Sequence, residues 1–179
     1  MKLSGIREKI KNFKQLILAD IYEFLDSIDV SYERFDHTAV FTVSEAKLLS
    51  PEIDGASTKN LFLRDKKGIR HFLVTVPQDK EVDLKELSSI LEASRLSFAS
   101  PDRLKTYLGI DPGSVSLLAL LNDLEKKVEV FIDNELWNSE TILCHPLVNT
   151  STLAIPRDGI MQFLENTGHT LRLVEVPVK

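Results

Sequence analysis

A chain of 179 residues with 43% hydrophobic content closes one sizeable core but is too short to argue for two, and it carries no low-complexity tract or repeat period. Its one cysteine, Cys144, excludes a disulfide framework, a CxxC redox pair and a thiolate zinc cluster. The net charge of −5 argues against broad, sequence-blind binding to nucleic acid or DNA, and no apolar run reaches the length of a signal core or membrane span, so a soluble cytoplasmic protein is expected.

The charge is unevenly placed. Residues 1–14 form a basic arm of net charge +4, ahead of a single expected domain over residues 15–179. Lys59 to Arg70 holds five basic side chains against Asp65 alone, again +4, which leaves the other 153 residues at −13. An acidic body with one basic hairpin suits a partner that presents phosphate at one place, such as a tRNA end; a solvated hairpin face is the plainer explanation.

In chain order, Phe13, Leu16, Ile17, Ile21, Phe24, Leu25 and Ile28 keep the three-four spacing of one apolar helical stripe. An extended stretch follows around Tyr32 to Phe35. Thr42-Val43-Ser44-Glu45 has the form of a capping box for a short helix that Pro51 ends. Two β-rich runs, Lys59 to Arg64 and Ile69 to Val76, flank Asp65-Lys66-Lys67-Gly68 and predict a hairpin. Asp83 with Glu86, and Ser100-Pro101 with Gly109, bracket two short helices. Beyond the Asp111-Pro112-Gly113-Ser114 turn come a helical stretch near Leu118 to Leu124 and a strand over Lys127 to Asp133. Further strands are predicted at Thr141 to Cys144, Ser151 to Ile155 and Leu171 to Val176, with a helix from Arg157 to Asn166 closed by Gly168. Strands grouped as hairpins without regular βαβ alternation give an α+β class: a mixed, strongly curved, barrel-like sheet of about seven strands flanked by about five helices.

No GxGxxG or GxxxxGK[ST] loop, G-x-S-x-G elbow or H-x-x-x-H pair is present, so neither a nucleotide cofactor nor a metal is indicated, and the common hydrolase signatures are missing. His37, His71, His145 and His169 are scattered, and composition cannot choose among them. Cys144 beside His145 invites a thiolate–imidazole pair, but neighbours on a strand point to opposite faces, so Cys144 is read as core.

Three segments are less ordinary: Thr58-Lys59-Asn60-Leu61-Phe62-Leu63-Arg64-Asp65, Asp111-Pro112-Gly113-Ser114-Val115-Ser116, and His145-Pro146-Leu147-Val148-Asn149-Thr150. In this order, with Leu120-Leu121-Asn122-Asp123 and the Val130 to Asp133 strand between the last two, they resemble the signature segments of the YbaK/ProX aminoacyl-tRNA deacylase family. These are relatives of the editing domain inserted in bacterial prolyl-tRNA synthetases. The match runs from about Leu16 to the end.

The resemblance implies an enzyme that removes a wrongly attached small amino acid, alanine in the freestanding subgroup, from the tRNA for proline without a cofactor. A cysteinyl- or seryl-tRNA deacylase of the same family, or a non-catalytic module binding charged tRNA, are the alternatives. It implies that Lys59 is the essential lysine, with Asn60 and His145 near the bound amino acid. Gly113, Ser114 and Val115 would offer backbone donors, and Asn149 and Thr150 would shape the pocket floor. Read alone, Lys59 would fit a basic residue blunting a sheet edge, and the Pro-Gly turn an ordinary turn. Arg64, Lys66, Lys67 and Arg95 are the candidates for holding the acceptor end, and a prolyl-tRNA synthetase is a further candidate partner.

Overall fold

A computed structural model describes residues 21–38 and 53–179 of the chain. The basic arm, the first part of the helix predicted from Phe13 and the capping box at Thr42 lie outside the described residues.

The predicted hairpin forms. Strand β2 (Ala56–Arg64) pairs antiparallel with β3 (His71–Pro77), from Thr58 opposite Pro77 to Arg64 opposite His71. Asp65 ties the turn: its Oδ1 accepts from the N–H groups of Ile69 at 2.8 Å and Arg70 at 3.2 Å, and Gly68 takes the left-handed φ of 68° that the reversal needs. Burial alone would raise the Asp65 carboxyl, but donation from the Ile69, Arg70 and Gly68 amides outweighs it and holds the group below its ordinary value.

The remaining elements follow their local signals. Helix α1 (Ile21–Ser27) buries Ile21 and Leu25, the tail of the predicted stripe, and sets Phe24 edge-on to Phe163. Strand β1 is Glu33–Asp36. Helix α2 (Leu84–Ile90) starts where Asp83 accepts from the N–H groups of Lys85 and Glu86, and α3 (Pro101–Leu108) runs from Ser100 to a left-handed Gly109. A 3₁₀ helix covers Leu117–Asn122, β5 is Val128–Asp133, β6 is Thr141–Cys144 and β7 is Ser151–Pro156. Helix α5 (Arg157–Thr167), capped by Gly168, leads to β8 (Leu171–Val174). Two short elements escape the hydrophobic pattern because two to four residues are too few to display a period: β4 (Ser97–Phe98) beside β2, and α4 (Asn134–Trp137), which Asp133 caps.

The sheet is mixed, in the order β1-β7-β6-β2-β3-β5-β8 with β4 off β2, so it has eight strands where about seven were expected. The β2–β6, β3–β5 and β5–β8 pairs are parallel and the others antiparallel. Among the described residues its path has two ends, β1 and β8, so the mixed sheet is present but not closed into a barrel.

Two apolar clusters sandwich it. The larger joins Phe62, Leu73, Ile142, Cys144, Leu153 and Ile155 to α1, α3, the 3₁₀ helix and α5. The smaller joins Leu63, Phe72, Val74 and Val76 on the opposite face to Leu87 and Leu91 around α2. Period-two alternation then assigns a face to every side chain of the inner strands.

Candidate active site

Lys59 lies near the start of β2, where the strand changes neighbours. Ser57 pairs with Leu143 of β6, and the Thr58 hydroxyl donates to the Leu143 carbonyl at 2.8 Å, so Lys59 runs beside the strand that ends at His145. Ala56 packs with the larger cluster, so alternation puts Lys59 on the other face, together with Leu143, its β7 partner Ala154, and Thr152. Lys59 is half-buried and forms no ion pair with the described residues. Asn60 leaves by the face of the larger cluster, where its Oδ1 accepts from the hydroxyl of its cross-strand partner Thr75 at 2.7 Å. The two adjacent residues assigned to the chemistry therefore point to opposite sides of the sheet.

His145 follows β6. Its Nδ1 lies 3.0 Å from the Ser151 carbonyl, and a carbonyl only accepts, so Nδ1 is the donor of that bond and Nε2 is the other ring nitrogen. His37, whose ring centre is 6.4 Å away at an interplanar angle of 67°, repeats the arrangement. Its Nδ1 donates to the Thr38 carbonyl at 2.9 Å, and its Nε2 lies 3.0 Å from the Thr152 hydroxyl. Asp36 accepts from the Ser151 hydroxyl and from Arg34 Nε, each at 2.8 Å; Arg34 first and Ser151 second hold its carboxyl below the ordinary value. Cys144 is buried on the opposite face, and burial pushes its thiol up to about 12, so no thiolate serves His145.

The other two singled-out segments meet at this edge. The Ser116 hydroxyl donates to the His145 carbonyl at 2.5 Å and accepts from the Leu118 N–H at 3.2 Å, which fastens the 3₁₀ helix to the loop after β6. Gly113 takes φ 90° in the turn. The Ser114 N–H is already spent on the Asp111 carbonyl at 3.3 Å, so of the three predicted amide donors Gly113 and Val115 are those without a backbone partner among the described residues. Leu147 holds φ 65°, a left-handed conformation that a branched side chain rarely adopts and that only surrounding structure maintains. A pocket of about 370 Å³ lies between these loops, α1 and β1, with Tyr22, Arg34, Ile110, Ser114 and Leu147 in its lining; Lys59, Asn60 and His145 are outside that lining. Asn149 is half-buried and Thr150 exposed, and the Thr150 carbonyl accepts from the His37 N–H at 3.0 Å.

Among the candidate RNA contacts, Lys66, Lys67 and Arg95 are exposed and form no ion pair with the described residues. Arg64 turns its Nη1 onto the carbonyls of Asp65 and Lys66, at 3.0 and 3.2 Å, and braces the hairpin. His37, Thr152 and Ser116 join the site without having been selected from the sequence: His37 and Thr152 are 115 residues apart, and only the β1–β7 pairing brings them together.

The aminoacyl-tRNA editing domain family model matches residues 37–163. The prolyl-tRNA editing protein ProX of Acetoanaerobium sticklandii is 34% identical over 163 residues, which span 91% of this chain and 97% of that protein. The prolyl-tRNA synthetase associated domain-containing protein 1 of Danio rerio is 39% identical over 153 residues, 84% of this chain and 83% of that one. Among solved structures, a candidate trans-editing enzyme for prolyl tRNA synthetase superposes with a TM-score of 0.60 over 82% of this chain and 87% of that one; at 15% identity it supports the fold alone. The chain belongs to the aminoacyl-tRNA editing domain family and is an enzyme of that kind, an aminoacyl-tRNA deacylase.

Proposed function

We propose that this protein is a trans-editing hydrolase that cleaves the ester of alanine mischarged on the tRNA for proline and releases alanine and free tRNA. The observation that carries this reading is that Lys59 runs beside the end of β6 that leads to His145, whose carbonyl is tied to Ser116 after the Gly113 turn, in a chain whose relatives are named for prolyl-tRNA editing.

Ester hydrolysis builds negative charge on the carbonyl oxygen. The Lys59 ammonium, which has no ion-pair partner among the described residues, is the group suited to stabilise it, with the amides of Gly113 and Val115 as further candidates, and one such donor is worth about 3–4 kcal/mol in comparable sites. His145, donating from Nδ1, in its neutral form offers Nε2 as an acceptor for the substrate's ammonium or for a water. The vicinal hydroxyl of the terminal ribose can hold that water, so no strong protein base is required. Asn60 acts from the other face of β2, through Thr75 and the strand rather than on the ester. Asn149 and Thr150 border the His145 loop and shape its rim. Prolyl-tRNA is spared by exclusion of the larger ring, which discriminates better than preference for a smaller ligand.

Deacylation of alanyl-, cysteinyl-, seryl- and prolyl-tRNA by the purified protein tests the reading, with Lys59→Ala as control. Rapid loss of alanine alone, slowed about 10²-fold or more by Lys59→Ala, is the expected result. Loss of cysteine or serine instead would reassign the substrate, and full activity in Lys59→Ala would refute the role of the lysine.

A further inference from the structure

If the ester lies near Lys59, as proposed above, the unpaired 3′ end of the tRNA has to run along the protein surface, and β2 sets out one line for it. Alternation puts Lys59, Leu61 and Leu63 on one face, and Leu63 stands opposite Phe98 in the β2–β4 ladder, so Phe98 projects from the face that carries Lys59. Four residues at about 3.3 Å each and one interstrand spacing of about 4.8 Å separate the two by about 14 Å. Leu63 is fully buried, yet Phe98 is 62% exposed. A large apolar ring left in water on a two-residue edge strand contributes little to the core, and exposed aromatics of this kind mark contact surfaces.

The surroundings identify the contact. Arg95 is exposed three residues before Phe98; Arg64 pairs in register with Ser97; Lys66 and Lys67 are exposed at the hairpin turn that continues β2. Arg95, Lys66 and Lys67 have no acidic partner among the described residues, in a chain whose net charge is −5. A bare ring bordered by unneutralised cations is the chemistry of a single-stranded nucleic acid site: the ring stacks on a base and the cations take the flanking phosphates. We infer that Phe98 is a stacking platform for an unpaired nucleotide of the tRNA acceptor end, with Arg95 and the hairpin lysines holding the phosphates beside it.

The test is steady-state deacylation of the charged tRNA by the wild type, Phe98→Ala and Phe98→Trp, repeated with an aminoacyl ester of adenosine that lacks the RNA body. Phe98→Ala should raise KM for the tRNA about 5- to 150-fold, the range that one base–aromatic stack is worth, and leave kcat unchanged. Phe98→Trp should restore or lower KM, and all three proteins should treat the short ester alike. An unchanged KM in Phe98→Ala, with an active wild type, overturns the inference and leaves the proposed reaction standing; a wild type inactive on every charged tRNA overturns the reaction itself. Equal damage to the short ester would make Phe98 a structural support of the site. A change in sedimentation without a change in KM would assign the ring to a second copy of the chain. Either of those results also overturns the inference.

Discussion

Asp133 is 1% exposed, and its two carboxylate oxygens do separate work. Oδ1 accepts from the Glu135 N–H at 2.9 Å and starts α4; Oδ2 meets Lys80 Nζ at 2.7 Å, on the segment between β3 and α2. The Lys80 side chain is itself only 12% exposed, and its other partner, Glu135 at 3.1 Å, is 67% exposed and too well solvated to replace a buried carboxylate. Asp133→Ala therefore strands a buried ammonium and uncaps a helix. Loss of one member of a buried pair costs about 3–5 kcal/mol, against about 1 kcal/mol for the cap alone. In a chain of this length each kcal/mol lowers Tm by about 2–4 °C, so the fall should be about 6–20 °C by calorimetry. Asp133→Asn, which can still cap, separates the two contributions, and the Lys80→Ala, Asp133→Ala cycle measures their coupling. The sign with pH is fixed as well. Burial works against the Lys80 ammonium, but bonds to Asp133 and Glu135 raise its pKa above the ordinary value, so while those carboxylates are ionised its contribution is complete below the ordinary lysine value and fades as pH rises through the raised one. A loss under about 1 kcal/mol, or one that vanishes between pH 6 and 9, would refute this account of the pair.

Asp123 and Cys144 give two further expectations. Burial raises the Asp123 carboxyl, but His169 Nε2 and the Val128 and Lys127 N–H groups outweigh it, so its pKa is lowered on folding. Its stabilisation is complete above the ordinary carboxylate pKa and is lost as pH falls through the lowered one, so Asp123→Asn should flatten the acid limb of stability measured by denaturant midpoint; an unchanged limb would discount the site. The Cys144 thiol, fully buried and raised to about 12, should resist alkylation at pH 8 until the protein is unfolded, and prompt labelling of the native protein would contradict its place in the core.

The elements that were legible in the sequence are those whose cause is local. Asp65 and Gly68 specify the hairpin turn, Ser100 and Gly109 delimit α3, and Gly168 stops α5, because caps and turns depend on residues within one turn of the chain. The 3₁₀ form of Leu117–Asn122 was not legible: six consecutive buried residues present no polar side from which a period can be read. Strand order and the open edges depend on pairings between distant segments, as does the meeting of His37 with Thr152. The opposite facing of Lys59 and Asn60 needed nothing beyond alternation, the argument that already separates Cys144 from His145. Their adjacency in one motif concealed it.

The position of β2 gives the site its mechanical character. It is an inner strand, clasped by β3 along its length and by β6 and β4 on its other edge. Lys59 and the hairpin lysine Lys66 are seven residues apart on the chain, about 23 Å if the strand geometry is carried through. On the proposed reading, RNA phosphates held at the hairpin and an ester held at Lys59 are attached to one rigid element instead of to two loops that move separately. Side chains on sheet strands hold position more precisely than side chains on loops, and a misplacement of about 1 Å at a reacting centre costs about 10²-fold in rate. The acidic remainder of the chain works in the same direction. Outside the two basic stretches it carries a net charge of −13 and disfavours phosphate, so the charge that argues against general nucleic-acid binding favours an orientation in which an RNA end meets the basic hairpin.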